Sequence, residues 1–112
     1  MISASDFDQR QYRRMLNSLN LFLAGSLSIG KLIADLEGLL KALEYLDDDW
    51  KKLYWQQWSY LEEARAISFE RGDTKLNHEE LKVAFDAANQ VKLLVLEKVD
   101  DIHDHPDRIE PT

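Results

Sequence analysis

Two imidazoles and two carboxylates fall within five consecutive positions near the end of the chain: Asp101, His103, Asp104 and His105. Mixed nitrogen and oxygen donors at that density could take a divalent transition metal. Pro106 and Pro111 share the segment, so the donors are not pre-organised and any affinity is weak. The expectation is a flexible polar tail over residues 103–112, with no metal and no other cofactor. His78, the third histidine, falls in the first turn of a predicted helix and reads as solvated. A di-iron bundle needs Glu-x-x-His pairs on two helices, and no histidine stands three residues after a Glu. A Gly-rich phosphate loop, a Cys nucleophile and a G-x-S-x-G elbow are all absent. The chain is not expected to be an enzyme.

Charge carries the other chemistry. Formal net charge is -7, and it is lopsided: residues 1–34 sum to +2 and the remaining 78 to -9. Phosphate neutralisation needs clustered Lys and Arg, so direct nucleic-acid binding is not expected. A basic protein partner is. Asp47, Asp48 and Asp49 stand in a row where one carboxylate suffices to cap a helix, and they repel one another. A cationic groove would relieve that repulsion. Trp55 lies off the apolar stripe of the same predicted helix, Glu62 one heptad beyond it, and Glu63 beside that. Outward aromatic rings are common interface anchors. Asp47, Asp48, Asp49, Trp55, Glu62 and Glu63 are therefore the candidate partner-binding residues. Glu79, Glu80 and Asp86, and the acids of residues 100–107, are rival faces.

The elements that must position these groups read as helices throughout. Ser5 caps a first helix to about Ala24, with a stripe of Tyr12, Met15, Leu16, Leu19, Phe22 and Leu23 and with Gly25 as a left-handed stop. Ser28 caps a second to about Tyr45, in which Gly38 would permit a close helix crossing. One of the three aspartates caps a third, reaching Arg71 with Gly72 as its stop and placing Trp50, Leu53, Tyr54, Trp58, Leu61 and Ala64 on one face. Asn77 opens a fourth, with Glu80 at capping-box spacing. The residues nearest the stripe centres, Phe22, Leu36, Trp58, Leu61 and Phe85, are the predicted core. No segment alternates with period two. Four amphipathic helices with short connections predict an all-α, antiparallel up-down-up-down four-helix bundle in one domain, residues 1–102. It is expected as a monomer or homodimer. No apolar run approaches the roughly 20 residues of a membrane span, and MISASDFDQRQYRR lacks a signal-peptide pattern. Zero cysteines suit a reducing compartment, so a cytoplasmic location is expected.

Leu19-Asn20-Leu21-Phe22-Leu23-Ala24-Gly25-Ser26-Leu27-Ser28 joins the first two helices. This L-x-x-F-L-x-G-x-(L/I)-S turn resembles that of the small helical immunity proteins related to the colicin D immunity protein, which accompany bacterial nuclease toxins, including those of contact-dependent inhibition systems. Gly30, Lys31 and Leu32 stand where such proteins often carry an acidic residue and then an aromatic. The resemblance implies a function class and no individual site residue: a protein that binds a basic (ribo)nuclease toxin and occludes its active site with an acidic surface. The alternative is an acidic helical scaffold or adaptor, monomeric or homodimeric, that docks through an apolar face.

Overall fold

The computed structural model describes residues 6–72 and 75–99. These residues form four α-helices and no strand: α1 (Asp6–Leu23), α2 (Ile29–Ala42), α3 (Asp48–Glu70) and α4 (His78–Leu96). The punctuation follows the chain's capping chemistry. Ser28 accepts the Lys31 N–H, Asp47 the Trp50 N–H, and Asn77 with Glu80 closes a reciprocal capping box. Gly25 and Gly72 stop α1 and α3 at φ +83° and +90°, a region that side chains with a Cβ rarely enter.

The core is one cluster fed by all four helices. Met15, Leu19, Leu32, Leu36, Tyr54, Leu61, Val91 and Val95 are fully buried. α1 packs against α2 and α4, and α3 against α4 and α2. Polar groups tie these contacts together. Gln9 donates to the Lys98 carbonyl at 2.7 Å, and the Trp50 indole to that of Leu94 at 2.9 Å. On the other side, Tyr54 O–H donates to the Leu36 carbonyl at 2.9 Å and the Trp58 indole to that of Ile33 at 3.1 Å. Buried donors that found no partner would each cost about 1–3 kcal/mol, so these bonds fix the register of the helices as well as joining them.

Four expectations need correction. α2 ends at Ala42, not Tyr45. Asp8, fully buried, accepts the N–H groups of Glu44 (2.8 Å) and Tyr45 (3.0 Å), which a longer helix would have turned back on its own carbonyls. Gly38 marks no close crossing, because an added Cβ would meet nothing within 4 Å; even at Gly30 an added Cβ would lie in ordinary contact, 3.6 Å from Arg65 Nε. Phe22, Leu36 and Leu61 are buried, but Trp58 and Phe85 are half-buried at the edge of the core. Leu53, placed on the inner face of α3, is exposed. Val91 and Ile33, absent from the expected stripes, complete the interior.

Candidate functional site

The six candidate residues do not share one face. Asp47 spends a carboxylate oxygen on the Trp50 N–H at 3.2 Å, while Asp48 and Asp49 stand exposed in the first turn of α3. At 3.6 residues per turn they diverge by about 100°. Trp55 is half-buried rather than outward. It meets Tyr54 and Trp58 edge to face, with ring centroids 6.2 and 4.9 Å away, on the side of α3 that turns toward α2. Glu62 follows Trp55 on that side, and its Oε1 lies 3.8 Å from an Arg65 guanidinium nitrogen. Glu63 is exposed, about 100° round the helix from Glu62.

A different stripe emerges along the outer side of α3. Leu53, Tyr60 and Ile67 recur every seven residues and all are exposed, Leu53 at 51% and Ile67 at 49%. A heptad step turns a straight helix by only about 20°, so the three form one row about 21 Å long. Asp49 precedes Leu53 by one turn and Glu63 follows Tyr60 by one turn, so carboxylates flank the row. Tyr45, 64% exposed in the loop that enters α3, adds an aromatic ring beside Asp47. The sequence pattern contained this row: 53, 60 and 67 match a helical period as well as Trp50, Tyr54 and Leu61 do. Which of the two rows is buried is decided by the packing of α3 against α2 and α4, not by the period.

The rival acidic face on α4 is weaker than its composition. Glu80, expected as solvated, is buried and doubly committed. Its carboxylate accepts the Asn77 N–H at 2.9 Å and forms a two-pronged pair with Arg71, one prong at 2.9 Å. The Arg71 hydrogen bond, reinforced by the Asn77 amide, holds the Glu80 carboxyl below its usual pKa of 4.5. Glu79 and Asp86 are exposed. Asp100 to Asp107, including the possible metal donors Asp101, His103, Asp104 and His105, lie outside the described residues, as does the whole expected tail, 103–112.

That location changes the meaning of the net charge. Asp73, Asp100, Asp101, Asp104, Asp107 and Glu110 account for six of the twenty-one acids, and Arg108 for one of the fourteen basic residues. The described body therefore carries fifteen acids against thirteen bases, a net of -2. Most of the chain's net negative charge therefore lies outside the described residues.

Comparisons with protein-family models, with curated proteins and with solved structures return no match for this chain. The likeness to the immunity proteins rests on residues 19–28, where Gly25 and Ser28 perform the turn and the cap that any such helix junction requires. Among the described residues, no helix is long and apolar enough to cross a membrane.

Proposed function

We propose that this chain is a binding protein of the immunity type, which docks on a basic nuclease toxin in the cytoplasm and covers its active site without any catalysis of its own. The observation that carries the reading is the row of Leu53, Tyr60 and Ile67 with the carboxylates of Asp49 and Glu63 one turn from its members. An apolar centre with an acidic rim complements a nuclease groove, which must present Lys and Arg to phosphate. The rim steers encounter and the centre resists dissociation. A rigid frame favours such a role. We infer an up-down-up-down bundle, because Asp8 of α1 meets the residues after α2, Trp50 of α3 meets the end of α4, and Trp58 of α3 meets the first half of α2.

The test is co-expression with the product of the adjacent gene, followed by a nuclease assay and association kinetics over a salt series. Replacing Asp47, Asp48 and Asp49 by Asn together should slow association and flatten its salt dependence, since electrostatic steering contributes about 10- to 1000-fold to such rates. Leu53→Ala with Ile67→Ala should instead speed dissociation. Undiminished protection by both variants, with the parent's salt slope, would remove this surface from consideration.

A second reading has one observation of its own. The seven-residue recurrence of Leu53, Tyr60 and Ile67 is also the spacing of a helix–helix seam, which suits a homodimeric scaffold or adaptor. Sedimentation separates the two readings: a dimer that Leu53→Ala and Ile67→Ala dissolve, with no inhibition of a nuclease, selects the scaffold.

A further inference from the structure

A cavity of about 810 Å³ opens at the end of the molecule where α1 turns into α2 and α3 into α4. Its walls are apolar. Phe22 and Phe85, in edge-to-face contact at 5.4 Å, form its inner side, with Leu27, Ile29, Leu76 and Leu81 around them. Phe69, 79% exposed, stands at the mouth. The volume lies within the range of roughly 300–1,000 Å³ typical of small-molecule sites. Such a wall in water favours an apolar occupant.

Its charge is the reverse of the chain's. Arg65 and Lys75 line the cavity, and none of its lining residues is acidic. The Arg65 guanidinium lies against the first turn of α2 beside Gly30, where an added Cβ would be in ordinary contact with it at 3.6 Å. Its Glu62 contact, at 3.8 Å, is longer than a hydrogen bond, so the planar fork keeps donors to give. Ser28, Ile29 and Gly30 of the α2 N-terminus also border the cavity, and no acidic side chain occupies that first turn. The positive end of the helix dipole therefore adds to the two cations.

From the apolar walls and a charged lining that is cationic alone, we infer that this cavity is a binding site for an amphipathic monocarboxylate, with the carboxylate on Arg65 and Lys75 and an aliphatic chain against Phe22 and Phe85. A carboxylate suits the guanidinium fork, which can donate to both its oxygens. A medium-length straight chain suits an open wall of leucine, isoleucine and phenylalanine side chains. The site lies on the α2-facing side and end of α3, apart from the row of Leu53, Tyr60 and Ile67, and it stands or falls independently of the toxin reading.

Titration of the full chain with octanoate, decanoate, 1-decanol and decyltrimethylammonium tests it, read by calorimetry and by methyl NMR. Decanoate should bind with one-to-one stoichiometry, and its affinity should exceed that of octanoate by about fourfold per methylene (~0.8 kcal/mol each). Shifts should centre on Leu27, Ile29, Leu76 and Leu81. Arg65→Gln with Lys75→Gln, both surface changes, should weaken decanoate by about tenfold or more while leaving 1-decanol unchanged, as expected for loss of charge-assisted hydrogen bonds. Equal binding of decanoate and decyltrimethylammonium would overturn the proposal. So would shifts centred on Leu53, Ile67 and Val83, indifference to the double substitution, or no decanoate binding at all.

Discussion

Replacing Asp8 should unfold the junction between α1 and the α2–α3 loop. The carboxylate is fully buried, and it accepts two backbone N–H groups, from Glu44 at 2.8 Å and Tyr45 at 3.0 Å. A hydrogen bond to a charged group contributes about 1.5–3 kcal/mol net, so the pair is worth roughly 3–6 kcal/mol. Water reaching the abandoned N–H groups, whose residues are exposed, returns part of this. Asp8→Ala is therefore expected to cost about 3–5 kcal/mol, and Asp8→Asn about half as much, because an amide keeps one acceptor and turns its NH₂ toward the other donor. In a domain this size a loss of 3 kcal/mol lowers the melting midpoint by about 12–24 °C. Urea titration followed by circular dichroism measures the loss, and amide hydrogen exchange at Glu44 and Tyr45 localises it. Both amides should lose protection in Asp8→Asn at a denaturant concentration where the core amide of Val91 keeps it. A cost below about 1 kcal/mol, or unchanged exchange at those two amides, would refute the assignment of Asp8 as the clamp that ends α2.

Three further outcomes are expected. The Glu80 pKa is depressed in the folded chain, so its contribution is complete above about 4.5 and is lost as pH falls through the lower folded value; Glu80→Gln should abolish that part of the acid limb in a stability-against-pH series. Tyr12 is pushed up to about 12 by burial and then by Asp8, and burial raises Tyr54 further still, so stability should fall as pH rises above about 10; Tyr54→Phe should soften that alkaline loss while costing about 1 kcal/mol at pH 7, where the Leu36 carbonyl loses its donor. Phe85→Ala removes a half-buried ring rather than a core one, so urea denaturation should find a loss of about 1.5–3 kcal/mol, short of the 3–5 kcal/mol of a fully buried phenylalanine.

The helices were legible because their ends are chemical statements. Ser28 and Asn77 cap the helices that the sequence assigns them, Asp47 is the one of the three aspartates that caps α3, and Gly25 and Gly72 take the left-handed backbone that marks a stop. Periodicity located most of the interior, since Met15, Leu36 and Leu61 sit at stripe centres. It could not separate two apolar rows on one helix. On α3, Leu53 and Tyr54 both satisfy the period, and only packing against α2 and α4 decides that the tyrosine goes in. Trp55 illustrates the same limit, because its ring folds back on Tyr54 and Trp58 although its backbone position points away from the core. Glu80 closes the capping box that its spacing predicts, but its burial and its Arg71 pair, like the long-range bonds of Asp8, are not legible locally. A carboxylate in a first helical turn has a sufficient local explanation in the dipole, and nothing local reveals a partner 36 residues away or an arginine in the preceding loop. The cavity was invisible for the same cause, since its walls come from both turns at that end of the molecule.

Gln9 and the Lys98 carbonyl it binds are separated by 89 positions. During synthesis α1 therefore emerges long before one of its two packing partners exists. At about 5–20 residues per second, the ribosome needs roughly 4–18 s to deliver α4 after α1. α2 follows within a few turns of chain and can cover one side of Tyr12, Met15 and Leu19, but the side that meets α4 waits. α3 and α4 meet across a short loop, and closing a short loop carries the smaller entropic cost. The order of assembly expected from loop closure is a pair α1–α2, a pair α3–α4, and a later joining of the two along the α1–α4 and α2–α3 seams. The Trp50 indole bonds the Leu94 carbonyl within the α3–α4 pair, while its ring meets Tyr12 of α1 at 5.9 Å, so of its contacts only the one with Tyr12 belongs to the final docking step.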